Sequence, residues 1–272
     1  QGRIMSEQNK PEAGSEFQFQ PNSTRPDDSA FRPAQLKKPW QMPGFPWVTY
    51  SLLALTVLFY VFQQLLARMF GFDLLFLLLG KINDRILAGE FWRLFTPALL
   101  HDSLMHLMFN MYALSILGRQ IEPFYGKWRF LLLYVIGALG GNVLSFVLSS
   151  YNSLGASTAI FGLLAAEAVF IWQNREIFGK QSRGILMNLV FVLVLNLLIG
   201  ISPGSNIDNW GHLGGLLAGF FFSFMAGPLL EFRQQEAGVR LEDNRTKQQI
   251  GLASVMVVAA FAVIAAIPFF TR

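Results

Sequence analysis

Three apolar runs in this chain carry polar side chains of the kinds that do acyl-transfer chemistry. The first holds His106 and Asn110, which share one face of an α-helix, about 40° apart at about 100° per residue. Two such donors can be aimed at an oxygen that develops negative charge, or they can hold neighbouring helices together. The second run opens Gly155-Ala156-Ser157, and its hydroxyl is either a nucleophile or a plain helix cap. The third reads Gly211-His212-Leu213-Gly214-Gly215. An imidazole there, beside a glycine stripe that lets another helix approach closely, is placed to meet Ser157 as its base. Metal chemistry fits poorly. His101 lies about 140° from His106 on a helical wheel, and His-Glu-x-x-His is absent. Paired-aspartate chemistry also lacks its residues, because the apolar runs contain no Asp. The sequence has no cysteine, which removes disulfides, thiolate sites and cysteine nucleophiles.

The elements that must position these groups are membrane spans. Of 272 residues, 53% are hydrophobic and 14% charged, with 27 Phe, whereas soluble domains carry about 25% charged residues. A bilayer crossing needs about 20 apolar residues. Seven stretches qualify or come close: Trp47–Met69, Leu104–Leu117, Trp128–Leu148, Ser157–Trp172, Ile185–Ile201, Trp210–Ala226 and Ile250–Phe269. The fold class expected is an all-α polytopic membrane protein. The fourth stretch spans only about 24 Å from Ser157 to Trp172 at 1.5 Å per residue. With its far end held by Arg175, Ser157 is expected in a recess below the membrane surface. Gly211, Gly215 and Gly219 on the sixth stretch face the small residues Ala159, Gly162 and Ala166 of the fourth.

Charge sets the expected orientation. Lys and Arg gather before the first stretch, between the second and third, after the fourth and after the sixth. The segments 149–156 and 202–209 have none. The positive-inside rule then puts the N-terminus in the cytoplasm and the C-terminus outside, in a prokaryotic-type plasma membrane. The net charge of +4 is explained by these flanks, so no nucleic-acid partner is expected. The segment 70–101 carries Lys81, Arg85 and Arg93 among many apolar residues and reads as amphipathic and partly embedded. Residues 1–46, rich in Gln, Pro and Ser without apolar periodicity, read as a disordered cytoplasmic tail. Residues 227–249 read as a cytoplasmic loop before a seventh membrane helix at 250–272.

In order and placement, His106-xxx-Asn110, Gly155-Ala156-Ser157 and Gly211-His212-Leu213-Gly214-Gly215 resemble the signatures of the rhomboid proteases. Glu90-Phe91-Trp92-Arg93 resembles that family's Trp-Arg motif in the first loop. The resemblance implies a six-helix catalytic core over 47–226, with the seventh helix an addition found in part of the family. It implies an intramembrane serine endopeptidase with a Ser157–His212 dyad that cleaves transmembrane proteins near their outer ends, with no metal or cofactor. The Ser157 N–H, His106 and Asn110 would hold the oxyanion. Phe161 would pack against the base, Gly155 and Gly215 would support the site, and Arg93 would pair with Glu122.

One departure stands out. The family usually has Gly after the nucleophile, and Thr158 stands there, where it is expected to crowd the oxyanion pocket. That residue supports the alternative of a rhomboid-like protein that binds transmembrane clients without cutting them. A transporter relaying protons through His106, His212 and Glu167 fits less well, because the chain shows no inverted repeat. Asp208, four residues before His212, is expected to cap the sixth helix.

Overall fold

The computed structural model describes residues 44–271 except 204, 206, 236 and 237. The expected tail lies, up to residue 43, outside the described residues. Among the described residues seven long helices follow one another: α1 (Trp47–Phe70), α2 (Leu104–Tyr125), α3 (Lys127–Leu148), α4 (Ser157–Gln173), α5 (Gln181–Gly200), α6 (Asn209–Ala226) and α7 (Lys247–Ala266). They coincide with the seven apolar stretches. The segment from α1 to α2 folds into short helices at Leu74–Leu79 and Asn83–Leu87, then 3₁₀ turns at Phe91–Leu94 and Thr96–Leu99. Between α6 and α7, where the sequence implies only a loop, β1 (Leu230–Gln235) and β2 (Gly238–Asp243) pair as an antiparallel hairpin, Phe232 opposite Leu241.

By length and composition, four of the helices can cross a membrane: α1, α3, α5 and the Lys247–Thr271 segment that contains α7. On α1 the burial pattern is inverted relative to a soluble helix. The buried residues are Thr49, Leu52, Thr56 and Gln63, while Leu55, Leu58, Val61, Phe62 and Leu65 are exposed. Polar groups need partners inside the protein, and the apolar surface needs a solvent of hydrocarbon.

The remaining three helices, α2, α4 and α6, carry the chemically interesting residues. Helix α4 is central, with nearly every side chain buried. Glycines let α3 and α6 close around it and against each other. Gly162 meets Gly137, a Cβ at either coming within 3.4 Å of the other's Cα. A Cβ at Gly219 would strike the Gly162 carbonyl, one at Gly215 the Thr158 carbonyl, and one at Gly214 the Gly140 carbonyl. This is small-residue packing of the kind that joins helices in lipid.

The N-terminus of α1 is tied to the end of α2 by Glu122. Its carboxylate accepts from Val48 N (2.9 Å), Thr49 N (2.7 Å) and Thr49 Oγ1 (2.7 Å). An anion there satisfies orphan amides at the positive end of the helix dipole. The expected Arg93–Glu122 pair is therefore wrong. Arg93 sits in the α1–α2 segment and binds Glu90 through Nε at 2.7 Å. The carboxylate has closer work at the other end of the helices.

Candidate active site

Arg93 is nearly fully buried and acts as a clamp. Nη1 donates to Gly80 O (2.8 Å) and Nη2 to Leu77 O (2.7 Å). Trp92 Nε1 donates to Leu78 O (3.1 Å) and Thr96 Oγ1 to Leu79 O (2.6 Å). Together the Trp-Arg motif and Thr96 satisfy the orphan carbonyls that end helix Leu74–Leu79. The segment then braces the loop before α4. Lys81 and Ser153 exchange backbone bonds, Lys81 Nζ donates to Tyr151 O (2.5 Å), and Gly155 N donates to Pro97 O (2.9 Å). Asn83 Nδ2 donates to Ser149 O (2.7 Å), so Lys81 and Asn83 both hold the stretch leading to Ser157, a role not visible in the spacing of the sequence.

Gly155 has φ +128°, a conformation L side chains rarely adopt. A Cβ at Gly155 would lie 2.8 Å from His106 Nε2 and 3.8 Å from Ser157 Oγ. The imidazole and the hydroxyl therefore face one small space that only glycine leaves open. Ser157 is the first residue of α4. The cap position is Ala156, with no side-chain capping bond, so the hydroxyl is not spent as a cap.

His212, nearly buried, lies on α6. Its ring stacks on Phe161 with centroids 3.9 Å apart and planes 13° apart. Phe161 is one turn beyond Ser157 on the same face of α4, so the stack holds the imidazole flat along that face. Asp208 does not hold the ring. Its Oδ1 caps α6 by accepting from Gly211 N (2.9 Å), and its Oδ2 accepts from Ser145 Oγ.

On α2, Ser103 caps the helix by accepting from His106 N (3.2 Å). Asn110 is buried and gives one amide hydrogen to His106 O (3.2 Å). His106 Nδ1 lies 2.9 Å from Asp102 Oδ1, a partner the sequence alone did not suggest. His101 precedes the helix, so a wheel angle does not describe it. Its ring lies edge-on to His106 at 4.9 Å. It is fully buried, with neither ring nitrogen on a protein partner. Burial holds its pKa down to about 3, with the charge of His106 adding to the effect. Among the described residues no cluster of three metal-binding side chains occurs.

Thr158 does not enter the space shared by His106 and Ser157. Its Cβ and Cγ2 fill a niche between α3 and α6 where Gly141 and Gly211 have no side chains. The expected crowding of the oxyanion pocket is not seen. The extra methyl is accommodated by the missing Cβ of Gly141.

Comparison with known proteins agrees with this architecture. The Rhomboid domain family matches residues 88–229. Rhomboid protease GluP of Bacillus subtilis (strain 168) is 40% identical over 184 residues, 68% of this chain and 36% of that protein. RHOMBOID-like protein 5 of Arabidopsis thaliana is 40% identical over 151 residues, 54% of this chain and 48% of that protein. RHOMBOID-like protein 1 of the same plant is 32% identical over 218 residues, 72% and 55% of the two chains. The chain thus spans from about a third to just over half of the length of these relatives. The matched region takes in every helix that carries a candidate site residue, and with its apolar helices the chain is an integral membrane protein of the rhomboid family.

Proposed function

We propose that this chain is an intramembrane serine endopeptidase in which Ser157 is the nucleophile and His212 its general base. The observation that carries this reading is the Phe161–His212 stack. It holds an imidazole along the face of α4 that Ser157 heads, one turn away. His212 takes the hydroxyl proton as Ser157 Oγ attacks the scissile carbonyl, then returns it to the leaving amine. The oxyanion of the tetrahedral intermediate is held by the Ser157 N–H, His106 and the second amide hydrogen of Asn110. The short α4, 17 residues or about 25 Å, supports a site below the membrane surface, because the hydrocarbon is about 30 Å thick. Substrates are transmembrane proteins whose chain unwinds into this site. Loop charges support a cytoplasmic N-terminus.

The test is cleavage of a model transmembrane substrate by the purified chain, with a fluorophosphonate probe reporting on Ser157. Ser157→Ala and His212→Ala should each abolish cleavage, because nucleophile and base act as a unit. Asn110→Ala should cost about 100- to 1,000-fold in turnover, the usual price of one oxyanion donor. Undiminished turnover in a folded Ser157→Ala or His212→Ala variant overturns the assignment. A chain that binds substrate but takes up no probe is a non-cleaving relative.

A further inference from the structure

His106 is held on three sides. Its backbone N–H is capped by Ser103, His101 lies edge-on to the ring, and Nδ1 meets the Asp102 carboxylate at 2.9 Å. The fourth side, Cε1 and Nε2, faces the backbone of Gly155 and the space beside Ser157 Oγ. A ring that gives its Nδ1 hydrogen to a carboxylate has two forms. In the neutral form Nε2 carries a lone pair, which repels an oxyanion. In the doubly protonated form Nε2–H is a donor, and a carboxylate beside Nδ1 supplies the counter-charge.

We propose that Asp102 is a positioning residue that acts through His106, fixing its ring and stabilising the form that donates from Nε2 to the oxyanion. This rests on the Ser157–His212 reading above. The titratable groups in contact with His106 are Asp102 and His101 from the approach to α2; His212 of α6 is near enough to feel its charge, and the Ser157 hydroxyl of α4 borders the same space. His101 is buried and stays neutral down to about pH 3, so it does not oppose a charge on its neighbour. Partial burial works against an ionised Asp102. The hydrogen bond and charge of His106, with hydrogen bonds from Ser103 and the backbone, outweigh it and hold that carboxyl below its ordinary range. A carboxylate 2.9 Å from Nδ1 thus accepts its hydrogen and supplies the counter-charge. Because the Asp102 side chain is mostly exposed, its removal leaves the packed core untouched.

The test is a double-mutant cycle on the full chain in liposomes, read as kcat and KM with the model substrate and as the rate of fluorophosphonate labelling. The probe's phosphoryl oxygen occupies the same oxyanion position, so labelling stays measurable where turnover is too slow. Asp102→Ala should lower kcat about 10-fold with KM within about twofold, a smaller effect than deleting a donor outright. Asp102→Glu should recover part of the loss. In a His106→Ala background, Asp102→Ala should change neither readout by more than about twofold, since it has nothing left to act through. Equal losses in both backgrounds, or a wild-type rate in Asp102→Ala, overturns the proposal and leaves the dyad standing. A wild-type chain that neither cuts nor takes up the probe at Ser157 overturns the dyad first, and the role of Asp102 with it.

Discussion

Thr158 shows how a single residue misleads when only its neighbours in sequence are considered. Next to Ser157 it suggests a pocket narrowed by a β-branched side chain. In the fold its methyl lies in a niche between α3 and α6, against Gly141 and Gly211, and its buried hydroxyl finds no partner. Thr158→Gly should therefore cost about 1–3 kcal/mol of stability, from an emptied niche and the poor helix propensity of Gly. Thr158→Val fills the same niche and removes an unpaired buried hydroxyl, whose desolvation costs about 1–3 kcal/mol. It should melt at or above the wild-type temperature, with cleavage unchanged. Thermal unfolding in detergent checks both, and a Thr158→Val chain that melts well below wild type would show that the hydroxyl has a partner after all.

At the scale of elements, the polar side chains of the outer helices act as end caps and straps. Gln63, buried on α1, accepts from His101 N (3.2 Å) and donates to Asp73 Oδ2 (2.6 Å), tying α1 to both ends of the segment before α2. Arg93 and Trp92 close the short helix Leu74–Leu79, and Glu122 closes the N-terminus of α1. Glu122→Gln replaces one of two acceptor oxygens with a donor, so an α1 amide or the Thr49 hydroxyl loses its partner. The expected loss is about 1–3 kcal/mol, read as a lower melting temperature and faster proteolysis near Trp47. A Glu122→Gln chain with wild-type melting would mean that water or Thr49 rearrangement serves the amides equally well.

The whole molecule is arranged for a solvent that is apolar outside and scarce inside. Leu and Phe cover the surface, while His101, Lys81, Glu122 and Glu167 are buried. His101 couples this arrangement to pH. Its folded pKa, near 3, lies below its ordinary 6.5, so the unfolded chain gains a proton that the folded chain refuses. The stability that His101 contributes is present above about 6.5 and is lost progressively as pH falls toward about 3. In His101→Phe, which removes the titration and fits a buried site, melting temperature should fall less between pH 7 and pH 4 than in wild type. Parallel declines would show that other groups dominate acid unfolding.

The seven helices and the chemical types at the site are legible in the sequence, because apolar length and the energetic cost of polar groups in hydrocarbon act locally along the chain. His106 with Asn110, the serine after Gly155-Ala156, and His212 beside its glycines stand out for the same reason: each is expensive where it sits. Asp102 was hidden because a helix start, not the helix wheel, sets its reach to His106. The partner of Glu122, the niche for Thr158 and the straps from Lys81 and Gln63 join segments tens of residues apart. Only packing decides those. The Gly141 that admits Thr158 lies on another helix, and no periodicity within either one records that the two were to meet.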